Sequence, residues 1–241
     1  MDNQFNSYQD LSNVNSGSDV RSFFNSVFAY MGGALAITGL VAYQFGNTPE
    51  LMNYLISPTG GMSILGYVIM FAPLGLVLLM SFALNRLSIG VLAGIFFLYA
   101  TLMGASMSFI FLIYTAASIY KTFLCSSLLF GTMAVLGYTT KQDLSAMGRI
   151  LSMALIGIVI ASLVNFFMKS TMMEYIISLV GVVVFTGLTA YDMQKLKEIA
   201  QTEGHAMPKN KLALMGALNL YLDFVNLFLM LLRLFGGRRN D

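Results

Sequence analysis

The sequence predicts an all-α integral membrane protein with seven transmembrane helices, and three observations carry that prediction. Of 241 residues, 57% are hydrophobic and only 10% are charged, against about 25% charged in an ordinary soluble domain. The apolar residues gather in seven stretches, most of them close to the ~20 residues that a spanning helix needs. None of the stretches alternates apolar and polar residues as a barrel strand does. Lipid offers no partner to free backbone groups, so the stretches must be helices.

Residues 1–21 are polar, rich in Asn, Ser and Asp, and hold no basic segment followed by an apolar core. They read as a short disordered cytosolic tail rather than a signal peptide. Residues 22–241 read as a single seven-helix transmembrane domain. Its apolar stretches fall at about 22–45, 63–84, 88–114, 118–138, 150–168, 174–193 and 212–235. Pro73 lies inside the second and is expected to kink it by removing one backbone hydrogen bond. Pro49, Pro58 and Pro208 lie in connecting segments. Small residues four apart, Gly90 and Gly94, Gly104 and Ser108, Gly157 and Ala161, are expected to mark close helix crossings. The 18 Met residues read as adaptable packing.

Charge excludes several classes. A net charge of +2 is too small for a nucleic-acid surface. One cysteine, Cys125, excludes an internal disulfide, and together with the one histidine, His205, it cannot build a zinc site of three or four ligands. Basic residues set orientation. With the N-terminus inside and seven full spans, the inner side holds eight (Arg21, Arg86, Lys141, Arg149, Lys195, Lys197, Lys209, Lys211) and the outer side five (Lys121, Lys169, Arg233, Arg238, Arg239). A re-entrant last helix moves the three terminal arginines inside. The charge rule thus predicts an inside N-terminus and mildly favours an inside C-terminus.

Two acids break the apolar pattern. Asp192 closes the sixth stretch and Asp223 sits within the seventh, whereas the other nine acidic residues fall in tails, loops or helix ends. A carboxylate at membrane depth costs roughly 2.5–3.5 kcal/mol on insertion scales, so its presence points to function. Asn219, Asp223, Asn226 and Arg233 fall at offsets 0, 4, 7 and 14, one narrow helical face. Such a stripe faces either a bundle interior, as an interhelical hydrogen-bond ladder, or a water-filled path. Asp192 shares its face with apolar Gly181, Phe185 and Leu188, and reads either as an interfacial helix end or as half of an acid pair. Arg86, at the inner end of the second stretch, reads either as a topology anchor or as a counter-charge to that pair.

The segments GYTTKQDLS (137–145), TAYDMQKLK (189–197) and ALNLYLDFVNLFLMLLRLFG (217–236), with SFIFLIYT (108–115), resemble the Bax inhibitor-1 family, the transmembrane Bax-inhibitor-motif proteins, and most closely its bacterial branch. The resemblance runs from about residue 20 to the C-terminus. It implies a last helix at the centre, wrapped by the other six, and a location in a bacterial inner (plasma) membrane. It also implies a pH-sensitive calcium leak gated by two aspartates and an arginine, carried here by Asp192, Asp223 and Arg86, the last on a weaker local match.

The expected function is therefore a cation leak whose partners are lipid, Ca²⁺ and protons. Two carboxylates in low dielectric should titrate as a unit and share one proton. The same pair is a candidate Ca²⁺ site, with Asn219 and Asn226 as ion-path residues, since hard oxygen ligands suit that ion. Calcium is the expected transported ion, and no cofactor is expected. An enzyme is not expected: paired acids resemble those of aspartyl intramembrane proteases, but their Gly-x-Gly-Asp and Pro-Ala-Leu motifs are missing. The alternative is a non-conducting regulator or substrate of a membrane-bound AAA protease, gripped by the N-terminal tail.

Overall fold

The computed structural model describes the backbone of residues 2–57, 61–202 and 207–239, and side chains within those ranges from residue 19 onward. Pro58 and His205 lie outside the described residues. The chain forms helices α1 (Asp2–Asn47), α2 (Pro49–Leu55), α3 (Ile64–Ala83), α4 (Ile89–Met107), α5 (Ile110–Ile113), α6 (Ala116–Thr139), α7 (Ser145–Met168), α8 (Thr171–Gln201) and α9 (Lys209–Phe235). Seven segments are long and apolar enough to cross a membrane: Asp19–Asn47, Ile64–Ala83, Ile89–Ile113 (α4 with α5), Ala116–Thr139, Ser145–Met168, Thr171–Gln201 and Lys209–Phe235. The tail expected over 1–21 overlaps the start of α1, most of it outside the described side chains.

Local chemistry explains where the helices begin. The hydroxyls of Ser63, Ser88, Thr115 and Ser170 accept from the backbone N–H of Gly66, Val91, Ser118 and Met173, supplying partners that a helix start lacks. Lys169, in the left-handed region at φ 52°, ends α7 and turns the chain straight into the Ser170 cap. The helix α3 runs on through Pro73.

The last helix crosses fully. Its 27 residues span about 40 Å at 1.5 Å per residue. At its start Lys211 Nζ donates to Leu84 O (3.1 Å) and Lys209 Nζ to Ala200 O (3.4 Å), the ends of α3 and α8. At its far end Gly237 N donates to Ser118 Oγ (3.0 Å) and Arg239 N to Ile113 O (2.9 Å). These anchors lie on opposite faces of the bundle. The last helix is thus unbroken and long enough to cross a membrane on its own.

The most buried span is α9, with 72% of its apolar window inside the protein against 6–39% for the others. It packs on α1, α4, α6 and α8. The expectation of six wrapping helices is corrected here, because α3 and α7 stand back from α9 and line a cavity instead. Tyr221 of α9 is fully buried between Phe96 and Tyr99 in edge-to-face contact. Its hydroxyl pairs with Thr38 Oγ1 (2.7 Å), which also donates to Ala100 O (2.9 Å).

Of the small residues predicted at crossings, Gly104 is where α4 meets α1: an added Cβ would lie 2.6 Å from Thr38 O. Gly90, Gly94 and Gly157 correct the expectation, since each faces open space. The spacing of small residues records a permissible face, and a neighbour must still arrive. One crossing that was not predicted is Gly137 of α6, pressed against the Ala190 backbone of α8.

Candidate functional site

The polar stripe of α9 faces a cavity of about 980 Å³ bounded by α3, α7, α8 and α9. Asp192 and Asp223 both line it, with Asn219, Asn226 and Arg233. Two consecutive helices thus deliver their acids to one space, and Asp192 is the charged group that acts on Asp223. Asp223 is only 6% exposed, and Asp192 is half-buried. Among the described residues, two buried side-chain oxygens have no hydrogen-bond partner, Thr186 Oγ1 and Asp223 Oδ2. Burying a polar atom unpaired costs roughly 1–3 kcal/mol, which makes Asp223 a site awaiting a partner.

The cavity has one polar edge and greasy walls. Asn219 is exposed to it, and Asn226 donates from Nδ2 to Leu222 O (2.8 Å). Arg233 lies ten residues beyond Asp223, roughly 15 Å along the helix. The opposite wall is mainly α3 and α7, with Met70, Phe71, Phe166 and Phe167, relieved by Ser152 and Ser162. Toward the face that carries Lys209, Leu196 of α8 packs directly over Gly216 of α9, where no Cβ has room. With Ala213, Leu214 and Ala217 buried beside it, this contact closes α8 on α9 just past the acids.

Arg86 is not brought to the pair. It is exposed in the turn between α3 and α4 and lines no part of the cavity. The candidate Ca²⁺ site also has few ligands. Among the described residues no cluster of three or more His, Cys, Asp or Glu forms, whereas resident Ca²⁺ takes 6–8 oxygens.

The sequence also missed a clasp beneath the site. Gln194, two residues past Asp192 and on the buried side of α8, accepts from Leu144 N (2.8 Å) and donates to Gln142 O (2.8 Å). Lys197 Nζ donates to Tyr138 O (2.8 Å) and sits over the Tyr138 ring. Segments 137–145 and 189–197 therefore hold each other, and the clasp fixes the height of Asp192. Asp143 in the same loop accepts from Ser145 N (2.8 Å), and the Ser145 hydroxyl and N–H hold its carboxyl below the usual range. Gln194→Ala is expected to leave two loop groups unpaired and cost about 1–3 kcal/mol, read as a lower melting temperature in detergent and faster proteolysis at 140–144. Unchanged melting and cleavage would show that the loop holds without the clasp.

Comparison with known proteins follows the same lines. The family described as "Inhibitor of apoptosis-promoting Bax1" matches residues 20–240. The chain is similar to the inner membrane protein YbhL of Escherichia coli K12, 46% identical over 222 residues that cover 91% of this chain and 93% of that one. It is similar to an uncharacterized protein of Rickettsia prowazekii, 42% identical with 92% of each chain covered. It also resembles an uncharacterized membrane protein of Streptococcus pyogenes, 38% identical with 93% of this chain and 96% of that one covered. The seven apolar helices and the Escherichia coli relative support a multi-pass inner-membrane location. With all seven apolar spans falling almost wholly within the matched residues 20–240, the chain belongs to the Bax inhibitor-1 family.

Proposed function

We propose that the protein is a pH-sensitive cation leak, with calcium as the expected ion, gated by Asp192 and Asp223. One observation carries the reading: two acids on consecutive helices line a single cavity, and α8 and α9 close on each other just past them where Leu196 packs on Gly216. When the pair holds a shared proton, repulsion is removed and α8 stays on α9. When both acids are charged, their repulsion in low dielectric favours parting the two helices at that contact, or recruiting a divalent cation. Lys195 partly offsets the charge at Asp192. A passing Ca²⁺ would exchange water for carboxylate and amide oxygens.

Purified protein in liposomes, scanned from acid to alkaline pH, is expected to pass Ca²⁺ faster as pH rises, because deprotonation restores the repulsion. A flat profile, or uptake no faster than protein-free liposomes, would overturn the reading.

A further inference from the structure

Much of the cavity is unsuited to a bare ion. Its walls on α3 and α7 are mainly aromatic and aliphatic, including Phe71, Leu74, Phe166 and Phe167, and offer a metal ion only the hydroxyls of Ser152 and Ser162. Its volume, about 980 Å³, is that of an organic-ligand site, for which roughly 300–1,000 Å³ is usual. It holds a carboxylate only 6% exposed, one of whose oxygens has no partner. In the packing of the bundle α3 sits on α4 and α7 on α8, and neither closes on the other. The gap between these two spans is therefore a side entrance at membrane depth.

We propose that this cavity binds lipophilic organic cations, protonated amines with an aromatic or aliphatic body, that enter from the bilayer between α3 and α7. The ammonium group is the chemistry that fits the deep end. It donates hydrogen bonds to Asp223 and to Asp192 across the cavity and replaces the proton or metal ion that would otherwise offset their charge. The terminal torsion of an aspartate is soft, so either Asp223 oxygen can turn to it. The apolar body lies along α7 toward Phe166 and Phe167. Arg233 at the other end of the polar edge repels positive charge, so the site selects one charge placed at one end of the molecule. The site uses the acid pair but does not depend on ions passing through it.

The test is equilibrium binding to the detergent-solubilised full chain with 2-(1-naphthyl)ethylamine and its neutral isostere 2-(1-naphthyl)ethanol. The amine is expected to bind saturably at one per protein, at least about tenfold tighter than the alcohol. Asp223→Asn should remove that preference by weakening the amine about tenfold or more and leaving the alcohol unchanged. Ser162→Trp fills the cavity from α7 without touching either acid and should abolish amine binding in a protein that melts like the parent. Equal binding of amine and alcohol, an undiminished amine affinity in Asp223→Asn or Ser162→Trp, or no saturable binding would each overturn the proposal. Ca²⁺ flux measured on the same preparations separates the two ideas: amine binding without flux removes the leak and keeps this site, and flux without amine binding does the reverse.

Discussion

Oxidising a Leu196→Cys, Gly216→Cys pair is expected to stop Ca²⁺ leak, with uptake falling at least about tenfold and recovering on reduction. The expectation follows from the contact of Leu196 with Gly216. An ideal Cβ on Gly216 lies 3.3 Å from Leu196 Cγ, and shortening Leu196 to cysteine clears the branched methyls that now fill that space. Two cysteines there come within the ~3.5–4.5 Å between Cβ atoms that a disulfide needs. The native Cys125 is exposed and is replaced by serine so that no other thiol competes. A bridge holds α8 to α9 whatever the charge on the acids above it. If bridged protein leaks at the parental rate, the path does not pass between Leu196 and Gly216.

Gly104→Leu is expected to damage the bundle severely. Even the Cβ meets Thr38 O at 2.6 Å, Val41 Cβ at 2.9 Å and Thr38 Cα at 3.1 Å, so α4 must move off α1. Overpacking of this kind costs about 1–3 kcal/mol. Here the displaced residue is also the one whose hydroxyl joins Tyr221 to Ala100 O, and breaking that buried network adds about 1–3 kcal/mol. The variant should aggregate on extraction or melt far below the parent. A monodisperse, parent-like melt would show that this crossing can open without loss.

The seven spans were legible because a bilayer fixes both the length and the greasiness of a helix, and their limits moved by only a few residues at most boundaries. The exceptions are α8, expected to end near 193 and running to Gln201, and α7, which starts at Ser145 rather than 150. Helices continue past the membrane where side chains hold them, as Gln194 and Lys197 do, and hydropathy cannot register that. The polar face of α9 was legible because four residues at helical spacing share one edge, and Asp192 because an acid stands out against its stretch. For Arg86 the sequence left an anchor and a counter-charge open, because it shows which end of the bundle a residue occupies, not the direction it points. Gly137 and Gln194 had no periodic signature. Their role depends on which helix lies opposite, and only the packed bundle supplies that.

The measurement closest to the central claim is the pH profile of Ca²⁺ uptake in liposomes for Asp192→Asn, Asp223→Asn and the double variant. Asparagine keeps the shape and hydrogen-bonding capacity of aspartate and removes its charge. If the two acids act as one gate through the cavity they share, either single change flattens the pH dependence. The double change then adds little, since groups that titrate together do not contribute independently. Two separate shifts that sum in the double variant, or a parental profile in either single one, would contradict a shared gate.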